Sequence, residues 1–312
     1  MSRLLHLGNV VIDVVLAIPA LPDRGGDVLA SATTATPGGG FNVMAAAARQ
    51  GLPVAYAGAL GTGPFAELAA AALAAEGIDV LQPPNPDLDT GVVISLVEAG
   101  GERTFVTGPG AEARLRADDL ARVLASPADA VYLSGYGLLH ASNRPALLGW
   151  LAGLNGSSPV FFDPGPLAAQ IPSAALAAVL SRADWLTCNA REASILTGRE
   201  DAVGAAEALA QGQTERGVIV RTGADGGLLM PPGAAEPVRV PGFVVDAVDT
   251  SGAGDTHTGV FIAALTHGAD PVEAARRANA AAALSVTWPG PATAPTTAEL
   301  ERFLAGAGGG SA

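Results

Sequence analysis

Asp249-Thr250-Ser251-Gly252-Ala253-Gly254-Asp255 leads into the apolar-periodic segment Gly259-Val260-Phe261-Ile262-Ala263-Ala264-Leu265. The pattern sets two glycines and an acid at the mouth of a helix. Gly252 and Gly254 let the chain turn sharply and approach a ligand, and the first amides of the helix have no intrahelical acceptor. With the helix dipole added, this is an anion site that needs no cationic side chain. Asp255 stands beside it, where a base takes a proton from an attacking hydroxyl. Without context the same residues are a turn, a cap and a first-turn acid, each contributing about 0.3–1 kcal/mol.

The 312 residues include 30 acidic and 17 basic side chains, for a net charge of −13, with 49% hydrophobic and 15% charged residues. Such a chain is globular and long enough to bury a substantial core. Its acidic balance argues against nucleic acid or an anionic membrane as partner, because both need a basic face; a small molecule is the expected ligand. All 17 basic residues are arginine, since the sequence contains no lysine. That removes a P-loop, a protein kinase with its strand lysine, and Schiff-base chemistry. Phosphate chemistry here must rest on backbone amides, arginine or a metal ion. The single Cys188 allows no disulfide framework and no thiolate cluster. The apolar start Leu4-Leu5-His6-Leu7 is too short for a signal peptide, and the uncharged stretch around Pro37 is too broken for a membrane span. A cytoplasmic location is therefore expected.

Leu4 to Val10 reads as a buried strand, with Asp13 just beyond its carboxyl end, where open α/β sheets bind ligands. Val14 to Thr34 reads as exposed strands or hairpins. Gly38-Gly39-Gly40 then opens an alanine-rich helix, and Asn42 one turn in offers a donor and an acceptor to hydroxyls. Gly61-Thr62-Gly63 is not a dinucleotide fingerprint, because no third glycine follows at the right spacing. Thr90 to Val97 and Arg103 to Thr107 form a hairpin around Gly100-Gly101. From Ala130 onward, short apolar strands at 130–134, 160–163, 185–188 and 218–221 alternate with helical stretches. Alternation of this kind predicts a parallel sheet with helices on both faces. Asn189 and Glu192 lie three apart at a helix start, and form either a capping box or a pair facing a hydrated Mg2+ and its phosphates. Thr222-Gly223-Ala224-Asp225-Gly226 reads locally as a hairpin turn. The glycine-rich end from Gly306 to Ala312 reads as a flexible tail.

These motifs, in this order, resemble the ribokinase or PfkB family of sugar kinases over nearly the whole chain. The resemblance implies one three-layer α/β/α domain over residues 1–305, with a mostly parallel central sheet. A small β-sheet lid, from about 14–34 and 89–107, would cover the sugar and carry a homodimer contact. The implied reaction is transfer of the γ-phosphoryl group of MgATP to a hydroxymethyl-type hydroxyl of a sugar. Asp255 would be the base and Gly252, Ala253 and Gly254 the anion hole. The resemblance places the substrate at Asp13, Gly38, Gly39, Gly40 and Asn42, with Arg103 reaching from the lid towards an acidic sugar or simply solvated. It assigns Asn189, Glu192, Thr222, Gly223, Gly226 and Asn279 to the nucleotide. A monovalent cation, K+, would lie among Asp249, Ser251, Ser285, Trp288 and Gly290. Gly39 stands where ribokinase has a lysine, and the strand end at Ser134-Gly135-Tyr136 lacks an acid that ribokinase presents near there, which puts ribose in doubt. Tyr136 and Phe41 leave room for a base, so a nucleoside kinase is the alternative; a sugar or nucleotide sensor without turnover is another.

Overall fold

A computed structural model describes residues 2–154, 156–211 and 215–308. Its strands are β1 (Leu4–His6), β2 (Val10–Ile18), β3 (Ala32–Gly39), β4 (Val54–Tyr56), β5 (Asp79–Val80), β6 (Val92–Glu98), β7 (Arg103–Gly108), β8 (Ala130–Ser134), β9 (Val160–Asp163), β10 (Trp185–Asn189), β11 (Gly217–Arg221), β12 (Gly226–Met230) and β13 (Val238–Pro241). They form two sheets. The larger runs β13-β12-β11-β10-β9-β8-β1-β4-β5 and the smaller β3-β2-β6-β7. From β5 to β11 the larger sheet is parallel; β12 and β13 add an antiparallel edge.

The helices are α1 (Gly40–Arg49), α2 (Pro64–Ala75), α3 (Ala117–Leu120), α4 (Gly135–Leu139), α5 (Asn143–Ala152), α6 (Ser173–Arg182), α7 (Ala190–Thr197), α8 (Ala202–Ala210), α9 (Ala253–Thr266), α10 (Pro271–Ser285) and α11 (Thr297–Gly308). Side chains alternate across a strand, so neighbours on each apolar strand serve opposite layers. Leu4, Tyr132, Phe161, Trp185 and Ile219 pack with α1, α9, α10 and α11, whereas Leu5, Val131, Phe162, Leu186 and Val220 pack with α5, α6 and α8. The expected architecture of a mostly parallel sheet, helices on both faces and a separate small sheet is therefore present. No helix among the described residues is long and apolar enough to cross a membrane.

Two details differ from the sequence reading. The chain stays helical through Gly308, because Leu300 and Leu304 are buried in the core and hold α11 down; Gly309 to Ala312 lie outside the described residues. In the small sheet, β2 starts at Val10 and β3 extends to Gly39. The sheet therefore delivers the glycine motif directly into α1.

Helix α1 crosses α9 at very short range. A Cβ on Gly259 would meet the Val43 carbonyl and approach the Ala46 Cβ to 2.7 Å. Only glycine on one helix and a small residue on the other allow this approach. It brings the starts of the two helices to the same place.

Candidate active site

Where α1 and α9 begin, Asn42 Nδ2 donates to Asp255 Oδ2 at 3.0 Å, a contact between residues 213 apart in sequence. Asn42 is buried, and its Oδ1 has no protein partner. An unpartnered buried acceptor is costly unless a ligand serves it. Burial pushes the Asp255 carboxyl up to about 6; Asp163 and Asp13 add to the rise, while the Asn42 amide and Arg221 oppose it. Asp13, on β2, is also pushed up to about 6 by burial. Its carboxylate lies against Gly38, where any Cβ would collide with Oδ2.

The turn into α1 has its own constraints. Gly39 has φ +60°, the left-handed region that favours glycine. Gly40 donates its amide to the Asn9 carbonyl at 2.7 Å, and a Cβ there would strike the His6 ring. His6 accepts from the Gly8 amide through Nδ1 at 3.1 Å, so the neutral ring carries its proton on Nε2. Complete burial pushes its pKa down to about 3 and keeps it neutral.

At the head of α9, Gly252 has φ +71°, and its Cβ position is filled by the Pro291 carbonyl. The Ala253 amide makes a long turn bond of 3.3 Å to the Thr250 carbonyl, and Thr256 donates to Gly252 at 2.8 Å. Among the described residues the amides of Gly252, Gly254 and Asp255 meet no acceptor, as the first turn of a helix dictates. Free amides beside a half-buried carboxylate can bind an anion and deprotonate a hydroxyl within one short span.

The second half of the site lies at the carboxyl ends of β9, β10 and β11. Asn189 and Glu192 form a full capping box: Glu192 Oε2 accepts from the Asn189 amide at 2.8 Å, and Asn189 Oδ1 from the Glu192 amide at 2.9 Å. Thr222 has a buried, unpartnered Oγ1, and Gly223 and Gly226 turn the chain from β11 into β12 with φ +68° and +95°. Asn279 is buried and donates to the carbonyls of Val240 and Pro241 at 3.0 and 3.1 Å, bracing β13. Arg103 reaches from β7 to Ser251 Oγ at 2.8 Å and Asp249 Oδ1 at 3.4 Å, tying the small sheet to the anion loop. Asp249 also accepts from the amides of Ser251 and Gly290 at 2.9 and 3.1 Å. Thr293 Oγ1 donates to the Ser285 carbonyl at 2.9 Å, and the Trp288 side chain is 61% exposed. Phe41, in contrast, is buried in the core, while Tyr136 is partly exposed.

One cluster was not assembled by the sequence reading, although Glu192, one of its members, was singled out there. Arg221 Nη2 pairs with Asp163 Oδ2 at 3.0 Å and lies 3.6 Å from Glu192 Oε2, and Nη1 donates to Thr187 and Thr258 at 3.2 and 3.0 Å. The available hint was an acid closing Val160–Asp163 and an arginine closing Gly217–Arg221, each at the ligand-binding end of an apolar strand.

The fold agrees with comparisons to known proteins. The chain belongs to the pfkB family of carbohydrate kinases, whose family model matches residues 1–298, and it is a phosphotransferase with an alcohol acceptor. It is 34% identical over 298 residues to the uncharacterized sugar kinase YegV of Escherichia coli strain K12, covering 94% of this chain and 91% of that one. Among solved structures, ribokinase from Thermotoga maritima matches with a TM-score of 0.82 at 27% identity, covering 98% of this chain and 100% of the other. Fructokinase from Vibrio cholerae O395, solved with fructose, ADP and calcium ion, matches with a TM-score of 0.80 at 26% identity, covering 97% and 99%.

Proposed function

We infer that this protein transfers the γ-phosphoryl group of MgATP to a hydroxymethyl-type hydroxyl of a sugar, with Asp255 as general base. The Asn42–Asp255 hydrogen bond carries this reading, because it sets a hydroxyl-binding motif directly against a half-buried acid at the anion loop. Asp13 and Asn42 Oδ1 hold the acceptor, and Gly38, Gly39 and Gly40 let it come close. Asp255 takes the hydroxyl proton as the oxygen attacks the γ-phosphorus; the bond to the β-phosphate oxygen breaks and ADP leaves with the electron pair. The amides of the Gly252–Gly254 turn receive the charge on the transferring group. Asn189, Glu192, Thr222, Gly223 and Gly226 form the nucleotide side, and Asn279 supports its wall through β13. Residues 1–305 act as one kinase domain with the small sheet as lid. The exposed Phe105 and Val106 on β7 favour a homodimer through that sheet, and the cytoplasm is the location we assign.

Asp163 and Glu192 share a single arginine, and Asp163 helps to push the Glu192 carboxyl up, after burial itself. That surplus of negative charge fits a hydrated Mg2+ carried in by the nucleotide, which would supply charge neutralisation to the phosphates. Potassium would meet a loop whose acceptors are already engaged. Both oxygens of Asp249 accept N–H groups, Arg103 already brings a cation to it, and the Ser285 carbonyl accepts from Thr293. Turnover is accordingly expected to persist when K+ is replaced by a bulky organic cation; a loss of most activity, restored by KCl, would refute this.

The reading is tested by ADP release from MgATP across pentoses, hexoses, sugar acids and nucleosides. Turnover with a sugar supports it. Turnover with nucleosides alone would move the assignment to the alternative in which Tyr136 faces a base, and nucleotide binding without turnover on an extract-derived panel would favour a sensor. Gly38→Ala, which displaces Asp13, should raise the acceptor KM at least about tenfold, equivalent to about 1.4 kcal/mol, with the KM for ATP unchanged. An unchanged acceptor KM would remove Asp13 from the substrate site.

A further inference from the structure

We propose that Arg221 is a positioning residue for catalysis: it ties the helix that bears Asp255 to the carboxyl ends of three strands and supplies the counter-charge that keeps the base ionised. This rests on the reading of Asp255 as base. The guanidinium joins β9 through Asp163, β10 through Thr187, the head of α7 through Glu192, and α9 through Thr258, one turn beyond Asp255. Its Nε and Nη2 lie 3.7 Å from where a Cβ on Gly254 would sit, so the charged group runs along the backbone immediately before Asp255. Thr187 and Thr258 hydroxyls also meet at 3.2 Å, which closes the cluster.

The charges facing Asp255 come from every element around it. Asp13 on β2, Asp163 on β9 and Glu192 on α7 are acids, and Tyr132 on β8 and Tyr136 on α4 are phenols that burial keeps neutral. From α1 comes only the neutral Asn42, and His257 on α9 itself is pushed down to about 3 by burial. Arg221 is the one cation in this group. Burial opposes its charge, but Asp163 and Glu192 more than offset that and hold it above its usual range. A lysine-free chain has thus placed an arginine beside the base.

The test is the pH profile of kcat at saturating sugar, where Asp13 is engaged by the acceptor and Asp255 is left to set the acid limb. Arg221→Met should move that limb to higher pH by about one unit, the scale of a nearby opposite charge, with activity partly recovered at alkaline pH. Arg221→Lys should keep the limb close to its original position. Asp163→Asn removes an opposing acid and should move the limb the other way, which keeps the idea testable if the Met variant folds poorly. A lower Tm and lower kcat with the limb unmoved in Arg221→Met and Asp163→Asn would mean a purely structural arginine and overturn the proposal. Asp255→Asn is the control: if it abolishes turnover while the limb is unmoved in the other variants, only the role of Arg221 falls. If Asp255→Asn stays fully active, Asp255 is not the base and both readings fall.

Discussion

Asp255→Asn should lower kcat by about 10²–10⁴-fold while MgATP still protects the protein against thermal unfolding. The amide keeps the shape of the side chain and can still meet Asn42, but it cannot take a proton. The wild-type enzyme should lose turnover as pH falls through about 6, because burial raises the carboxyl to that value and its protonated form is no base. The same shift has a consequence for stability. The folded pKa lies above the ordinary aspartate value of 3.8, so ionising Asp255 costs the fold stability. That cost is absent below the unfolded pKa, sets in as pH rises from 3.8 towards 6, and is complete above. Asp255→Asn should therefore raise Tm at neutral pH and leave it unchanged near pH 3.5. An inactive variant that is also destabilised at pH 7 would point to lost structure instead.

Gly252→Ala should be nearly as damaging, for a different reason. The residue sits at φ +71°, and its missing Cβ makes room for the Pro291 carbonyl. An L-side chain in this left-handed conformation costs about 1–2 kcal/mol, and the collision with backbone forces the turn to move. Displaced amides no longer meet the transferring group, so kcat should fall by about 10²–10³-fold, the scale for one lost oxyanion donor. Gly254→Ala is the informative partner. A Cβ there finds only the Arg221 guanidinium, at an ordinary 3.7 Å, so the fold should be unperturbed. Equal loss of Tm in the two variants, measured by differential scanning fluorimetry, would contradict this account of the turn.

The contrast between these glycines marks what could be read from residue order. Turn glycines, helix mouths and apolar alternation are local properties, so the two sheets, a helix following the glycine motif and the turn at Gly252 were legible before any coordinates. The capping-box reading of Asn189 and Glu192 and the ligand-facing reading were equally open, since both use the same spacing; the structure shows the box formed. Arg103 and Asn279 are polar residues whose partners lie far along the chain, Ser251 for one and the β13 carbonyls for the other. No periodicity could foresee those pairings. The Arg221 cluster was hidden most completely. Its five members, at positions 163, 187, 192, 221 and 258, come from separate elements, and each by itself is an ordinary strand end, cap or helix residue. Only the three-dimensional assembly turns them into one charged unit.

The close crossing of α1 over α9 at Gly259 also dictates when the site can exist. Asn42 and the glycines before it leave the ribosome early, but the partner Asp255 emerges only after most of the chain has been made. Vectorial synthesis at about 5–20 residues per second leaves the first motif waiting on the order of ten seconds or more. During that interval α1 has no α9 to cover it, and its apolar surface depends on other contacts or on chaperones. A nascent chain halted before α9 should be unable to bind either substrate productively, however well its first half has folded. Sequence separation thus acts as a timer: competence for phosphoryl transfer arrives late in translation, when the last helices close against the first.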